Sequence, residues 1–155
     1  MTLPPFQAIL DAHRDDVYRF LLSTVGPADA DDCFQETFLS ALRAYPRLRH
    51  GENLRGWLLT IAHRKGMDAH RARARRPVPV DELPEPAAPA AEADGMPELW
   101  SRVRDLPHKQ RAAVAHRYVT DLSYREIAAV LDCSEEAARR SVHEGLKKLR
   151  EAVER

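Results

Sequence analysis

Apolar residues at Phe6, Ile9, Leu10, Val17, Phe20 and Leu21 return at helical spacing until Gly26-Pro27 stops the pattern. A second helix is expected from near Asp29 to about Tyr45. The loop YPRLRHGEN follows, with Pro46 and Gly51 as its breakers. A third helix runs from Leu54 to about Arg76. It carries Leu54, Trp57, Leu58 and Ile61 on one stripe and His63, Arg64, Met67, His70 and Arg71 on the other side. Further helices are expected near 98–104, 108–119, 124–131 and 135–152. No period-two alternation long enough for a sheet occurs, so the pattern predicts an all-α protein.

Between the helical stretches lies PVPVDELPEPAAPAAEADGMP, where prolines at 77, 79, 84, 86, 89 and 97 forbid continuous helix. This stretch divides the chain into two small helical domains, 1–76 and 98–155, joined by a linker over 77–97. Extended like polyproline II at ~3.1 Å per residue, about 21 residues span on the order of 65 Å. That length corresponds to roughly 19 base pairs of B-DNA at ~3.4 Å each.

The last two helices are joined by the short connection Asp132-Cys133-Ser134, with Ser134 as the N-cap of the second. Ile127, Ala128, Leu131, Ala138, Val142, Leu146 and Leu149 supply their shared apolar faces, a helix-turn-helix pattern. The opposite face of the final helix presents Glu136, Arg139, Arg140, His143, Glu144, Lys147 and Arg150. Such a face serves either as a solvated surface laced with i,i+4 pairs or as a reader of DNA. Glu135 and Glu136 sit in the first turn, where the helix dipole favours acids.

The chain has 155 residues, 44% hydrophobic and 31% charged, and a formal net charge of zero. Neutrality here is a cancellation between neighbours. From Leu54 to Arg76 the basic residues Arg55, Arg64, Lys65, Arg71, Arg73, Arg75 and Arg76 face Asp68 alone. From Pro77 to Pro97 every charged residue is an acid. A basic patch therefore survives for an anionic partner. Its end, RKGMDAHRARARR, reads either as a helix terminus rich in cations or as a nucleic-acid surface. Trp57 reads as a core residue or a stacking platform.

Cys33 and Cys133 lie far apart without zinc-ligand spacing, so neither a disulfide nor a metal site is expected. No apolar run approaches a membrane span and the N-terminus lacks a secretory signal pattern, so a reduced, cytoplasmic protein is expected. Nucleophile elbow, phosphate loop and His/Glu metal pair are all missing, which leaves catalysis and cofactors without support. His13, His50, His108 and His116 read as surface or core residues. The acids of DADDCFQETF lack the glycine and closing glutamate of a calcium loop, and around Phe34 and Phe38 they suit a protein contact better.

Together these pieces resemble a bacterial RNA polymerase sigma factor of the extracytoplasmic-function type, in which regions 2 and 4 are joined by a linker. DADDCFQETF is similar to the region 2 pattern D-A-E-D-x-x-Q-E-T-F. The resemblance implies that Asp32, Gln35, Glu36 and Phe38 dock on the clamp helices of the polymerase β′ subunit. NLRGWLLTIAHRKGMDAHRARARR resembles the following region 2 helix through Trp57, Leu58, Ile61, Ala62, Asp68 and Arg71. That match implies −10 recognition and melting by Arg49, His50, Asn53, Arg55, Arg64, Lys65, Arg71 and Arg73, with the loop Arg49–Asn53 as base reader. Arg64 stands where the family commonly has asparagine.

LPHKQRAAVAHRYVTDLSYREIAAVLDCSEEAARRSVHEGLKKLRE resembles region 4 through Leu106, Pro107, Gln110, Arg111, Leu122, Ser123, Tyr124, Glu126, Ile127 and Ala128. The −35 set it implies is Ser123, Tyr124, Arg139, Arg140, His143 and Lys147. The recognition helix departs from the family pattern: Arg139 falls on a lysine, while Ser141 and Glu144 replace two arginines. A base preference unlike that of such relatives is expected.

The resemblance implies a transcription initiation factor, not an enzyme, that binds core polymerase at the β′ clamp helices and β flap and reads promoter DNA. An anti-sigma factor is a further partner it implies. Two rivals are a stand-alone DNA-binding regulator and a sigma-like module sequestered by a partner. A third, a nucleic-acid-processing enzyme, lacks an acid cluster for magnesium.

Overall fold

A computed structural model describes residues 4–48, 53–75 and 97–154. Seven α-helices account for most of them: α1 Phe6–Val25, α2 Pro27–Ala44, α3 Leu54–Arg75, α4 Pro97–Arg104, α5 His108–Tyr118, α6 Tyr124–Leu131 and α7 Glu135–Val153. A single 3-10 turn, Tyr45–Arg47, follows α2. The all-α expectation holds. The proposed linker up to residue 96 and the loop residues 49–52 lie outside the described residues.

Local chemistry explains the boundaries. Gly26 adopts φ +87°, a conformation strained for any residue with a Cβ, and a Cβ there would also lie 3.3 Å from the Arg104 side chain. Pro27 then opens α2 at the position where a missing N–H costs nothing, so the helix begins two residues earlier than its first aspartate suggests. Pro97 opens α4 for the same reason and belongs to that helix. Asn53 starts α3, its Oδ1 accepting the Gly56 N–H at 3.0 Å.

In α6 the Ser123 hydroxyl accepts the Glu126 N–H at 3.1 Å, and the Glu126 carboxylate accepts the Ser123 N–H at 2.9 Å, a reciprocal capping box. Those bonds hold the Glu126 carboxyl below its ordinary range. Asp132 ends α6 in the left-handed conformation, which aspartate tolerates better than most residues. Ser134 caps α7 by accepting the Ala137 N–H at 3.0 Å.

The first three helices bury Val17, Phe20, Leu21, Ala30, Leu58, Leu59 and Ala62 among themselves. The last three bury Ala113, Leu122, Ile127, Ala138 and Val142, with a smaller cluster of Val103, Leu106, Val114 and Leu149 under α4. Full burial of the valine, leucine, isoleucine and phenylalanine side chains among these stabilises by ~1.5–3 kcal/mol each before entropy is counted. The buried face expected for α7 is observed at Ala138, Val142 and Leu149; Gly145 joins it and Leu146 is half-buried.

The helical pattern shows two helical halves, yet their cores are continuous. The α1 helix packs on α4 and α5, and α3 packs on α6. This seam explains how halves of such modest size shield their apolar residues: each completes the core of the other. Its polar elements include Arg55 and three histidines, His63, His70 and His116, whose positions on the helices gave no sign of it.

Candidate nucleic-acid and polymerase interfaces

Helices α6 and α7 set the C-terminal site. On α7 the side chains of Glu136, Arg139, Arg140, His143, Glu144, Lys147 and Arg150 are exposed, on the face opposite the buried stripe. The i,i+4 ion pair on this face joins Arg139 Nη2 to Glu135 Oε1 at 3.5 Å. The Arg139 guanidinium also lies over the Tyr124 ring, 4.9 Å from its centroid, and Arg117 approaches the same ring at 4.8 Å. Arg117 in turn donates to the Leu122 carbonyl at 3.1 Å. Tyr124 is thus the joint that fixes α7 against α6 and the end of α5.

Among the described residues Arg140, His143 and Lys147 have neither ion pair nor hydrogen bond, so their donors are available to a ligand. Glu144 accepts from Gln110 Nε2 at 3.3 Å, which ties this mid-helix acid to α5. Ser123 spends its hydroxyl on the α6 cap. Arg111, matched by the region 4 pattern, is a structural residue: its Nη1 donates to the Arg104 carbonyl at 2.9 Å and the Leu106 carbonyl at 3.2 Å, closing the end of α4.

On α3, Arg64, Arg71 and Arg73 are exposed and Lys65 is half-buried. Arg71 pairs with Asp68 at 3.3 Å and Arg73 with Asp29 at 3.0 Å, both at the surface where such pairs contribute little. Trp57 is half-buried against the core, 6.3 Å from Tyr45 between ring centroids, in keeping with the core reading. Asn53 is exposed but its amide oxygen is engaged in capping. Arg49 and His50 lie outside the described residues.

Arg55 requires a correction. Instead of reaching outward for a DNA strand, its Nε donates to Asp16 Oδ2 at 2.8 Å and its Nη2 donates to the Thr120 carbonyl of the other half. The pair is only 30% exposed on each side, so the guanidinium is a seam contact in this arrangement.

On α2, Asp32, Gln35 and Glu36 are exposed as a docking face requires. Phe38 is not: it is 6% exposed, packed edge-on to Phe6 and tilted against Phe34. Its position a helical turn from Phe34 and near Ala41 puts it on the buried stripe, so it supports the docking face from beneath. The apolar residues on the outside are Leu39 and Leu42, 47% and 51% exposed. Sequence reasoning missed them, although their spacing from Gln35 and Glu36 places all four on one face.

Cys33 is on the buried side of α2, its thiol pushed up to about 11 by burial and by the surrounding Asp29, Asp32, Glu36 and Asp68, which makes it a poor nucleophile. Among the described residues no group of His, Cys, Asp and Glu could hold a metal ion, and no helix is long and apolar enough to cross a membrane.

The chain matches Sigma-70 region 2 over residues 9–76 and Sigma-70 region 4 over residues 97–149. Over 94% of its length it is 34% identical to the ECF RNA polymerase sigma factor SigD of Mycobacterium tuberculosis, of which it covers 75%. The chain belongs to the extracytoplasmic-function sigma factors. A second such relative, the RNA polymerase sigma factor CarQ of Myxococcus xanthus, is 31% identical over 96% of this sigma factor and 88% of its own length. The fold is that of the sigma factor RpoE in its complex with the anti-sigma factor NepR from Bartonella quintana, with a TM-score of 0.75 at 20% identity over 96% of each chain. CnrH in complex with the cytosolic domain of CnrY has the same score at 23% identity, over 96% of this chain and 87% of CnrH. As a sigma factor the protein is a transcription initiation factor that directs RNA polymerase to promoters, contacting core polymerase and promoter DNA.

Proposed function

We propose the following division of labour within this initiation factor. Residues 1–76 act as region 2, docking on the β′ clamp helices through Asp32, Gln35 and Glu36 together with Leu39 and Leu42. They open the −10 element through Arg64, Lys65, Arg71 and Arg73 of α3 and the loop Arg49–Asn53. Residues 98–155 act as region 4, meeting the β flap and reading the −35 duplex through α7. Residues 77–97 link the two.

The observation that carries this reading is the outer face of α7, where Arg140, His143 and Lys147 stand exposed and unengaged on a helix whose start is capped and whose other face is buried. Phosphate contacts supply most of the affinity and make it steeply salt-dependent. Base preference comes from Arg140, His143 and Lys147. Arg139, already held by Tyr124 and Glu135, sets the angle of the helix and faces the backbone. The factor has no chemistry of its own and works in the cytoplasm, where polymerase is. The likeness to sigma factors held in anti-sigma complexes supports an anti-sigma factor as a further partner.

Transcription in vitro with core polymerase and a library of genomic fragments tests the reading. The expected outcome is a set of transcripts starting at a shared promoter sequence. Stable polymerase binding with no promoter-specific transcript from any fragment would overturn it and favour a sequestered or decoy module.

A further inference from the structure

His116 is fully buried in α5, yet its ring belongs to the other half's surroundings. It lies flat on Phe20 of α1, centroids 4.1 Å apart and planes 7° from parallel, and 6.5 Å from the ring of His63 on α3. The Thr120 hydroxyl donates its one proton to the His116 carbonyl at 3.0 Å. The 3.2 Å contact between Thr120 Oγ1 and His116 Nδ1 therefore has Nδ1 as donor. That fixes the neutral tautomer and leaves Nε2 buried without a partner. Elsewhere along the seam, bordered by Phe20 and His63, the residues that the ring contacts, a crevice of about 10 Å³, room for a single water, opens between His63, Met67 and His70 of α3 and His108 and Arg111 of α5.

We infer that this seam is a protonation latch: neutral His63 and His116 let the two halves close, and their protonation drives the halves apart.

The charges around the pair all oppose a cation. His116 is held well below its ordinary range by burial first, then by His63 and Arg55. His63 is pushed down to about 4 by burial, then by His108, Arg111 and Arg64. His108 is lowered by burial and by Arg111, Lys109 and Arg71. The carboxylates nearby are spoken for: Asp16 of α1 pairs with Arg55, Asp29 of α2 with Arg73, and Glu126 of α6 holds the Ser123 N–H. At the edge of the seam His70 Nε2 donates to the Thr24 carbonyl at 3.0 Å, so it keeps this partner when protonated. A cation over the Phe20 face would gain roughly 2- to 30-fold, against a burial cost on the order of 10³-fold. Burial wins.

Closure matters because the closed chain cannot read two promoter elements at once. Helix α3 touches α6 and α6 touches α7, which at ~8–10 Å per packed pair puts α3 and α7 about 20 Å apart. The −10 and −35 elements lie roughly 25 base pairs, or ~85 Å, apart. That consequence rests on the reading of the two elements proposed above; the latch itself does not.

The sign follows from linkage. Both rings are depressed in the closed form and return towards about 6.5 on opening. Closure is therefore complete above pH ~6.5 and lost as pH falls towards 4. The open-to-closed ratio rises up to about tenfold per pH unit for one ring and hundredfold for both.

Small-angle scattering of the free full-length chain from pH 7.5 to 4.5, with helicity followed in parallel, tests it. The expected radius of gyration is about 15 Å at pH 7.5, growing by roughly 5 Å or more at acid pH as the halves separate, with helicity unchanged. His63→Gln with His116→Gln should stay compact throughout. If that variant is expanded at every pH, histidine proton resonances of the unaltered chain decide: His63 and His116 taking up protons together with the expansion supports the latch. A chain that stays compact while both rings titrate, or a variant that expands along the same curve as the unaltered chain, overturns it.

Discussion

The guanidinium of Arg139 sits 4.9 Å from the centre of the Tyr124 ring, one helix away, while its Nη2 reaches Glu135. A side chain held at both ends positions its helix more than it samples a base. Arg139→Ala should weaken −35 binding by a few-fold for every sequence alike and lower the salt slope by about 1, leaving base preference unchanged. Binding of the protein to a panel of −35 variants at several salt concentrations checks this.

Gly145 lets α5 and α7 meet. A Cβ there would lie 2.7 Å from Val114 Cγ2 and 3.5 Å from the Gln110 carbonyl. Gly145→Ala should therefore destabilise the protein by ~1–3 kcal/mol through overpacking, despite alanine's better helix propensity. Val114→Ala in the same chain should recover part of that loss, read by urea denaturation.

On α2, adjacent residues should give opposite results. Phe38→Ala removes a core aromatic and should cost ~3–5 kcal/mol of stability. Leu39→Asp, on the exposed face, should leave stability within about 0.5 kcal/mol and reduce affinity for core polymerase at least tenfold. Glu36→Lys should likewise weaken polymerase binding while the promoter binding of region 4 is spared. Parallel denaturation and polymerase-binding measurements separate the two roles.

At the seam, Arg55→Ala deletes the 2.8 Å contact with Asp16 and the donor to the Thr120 carbonyl. The expected cost is ~1–3 kcal/mol, since Asp16 keeps partial access to water while buried Thr120 loses a donor to its carbonyl. The loss should appear as separation of the halves at neutral pH, whereas Arg71→Ala, whose pair is 63% exposed on both sides, should alter neither size nor stability.

The helices, the cap at Ser134 and the outer face of α7 were legible in the sequence because each rests on spacing or on a local hydrogen bond, whereas Ser123 reads there as a DNA contact and its hydroxyl caps α6. The face of α2 was legible only in part. Phe38 and Leu39 are neighbours on one apolar run, and which of them points inward is set by how α2 lies on α1 and α3. The seam was not legible. His63, Met67 and His70 sit among arginines on the side of α3 away from its apolar stripe, so the pattern assigns them to solvent. The C-terminal half supplies what covers them, and no local signal announces a contact made by residues so distant in the chain. The same holds for Arg55, whose place in a basic segment suggested DNA while its partners are Asp16 and Thr120.

The central claim is that α7 reads the −35 element through its unengaged cations. It is tested most directly by selecting promoter sequences with holoenzyme carrying either the unaltered factor or Arg140→Ala. The account predicts a ~1–3 kcal/mol loss confined to the −35 element, with preference relaxed at one position there and the −10 preference intact. The same −35 preference and affinity with both proteins would contradict it.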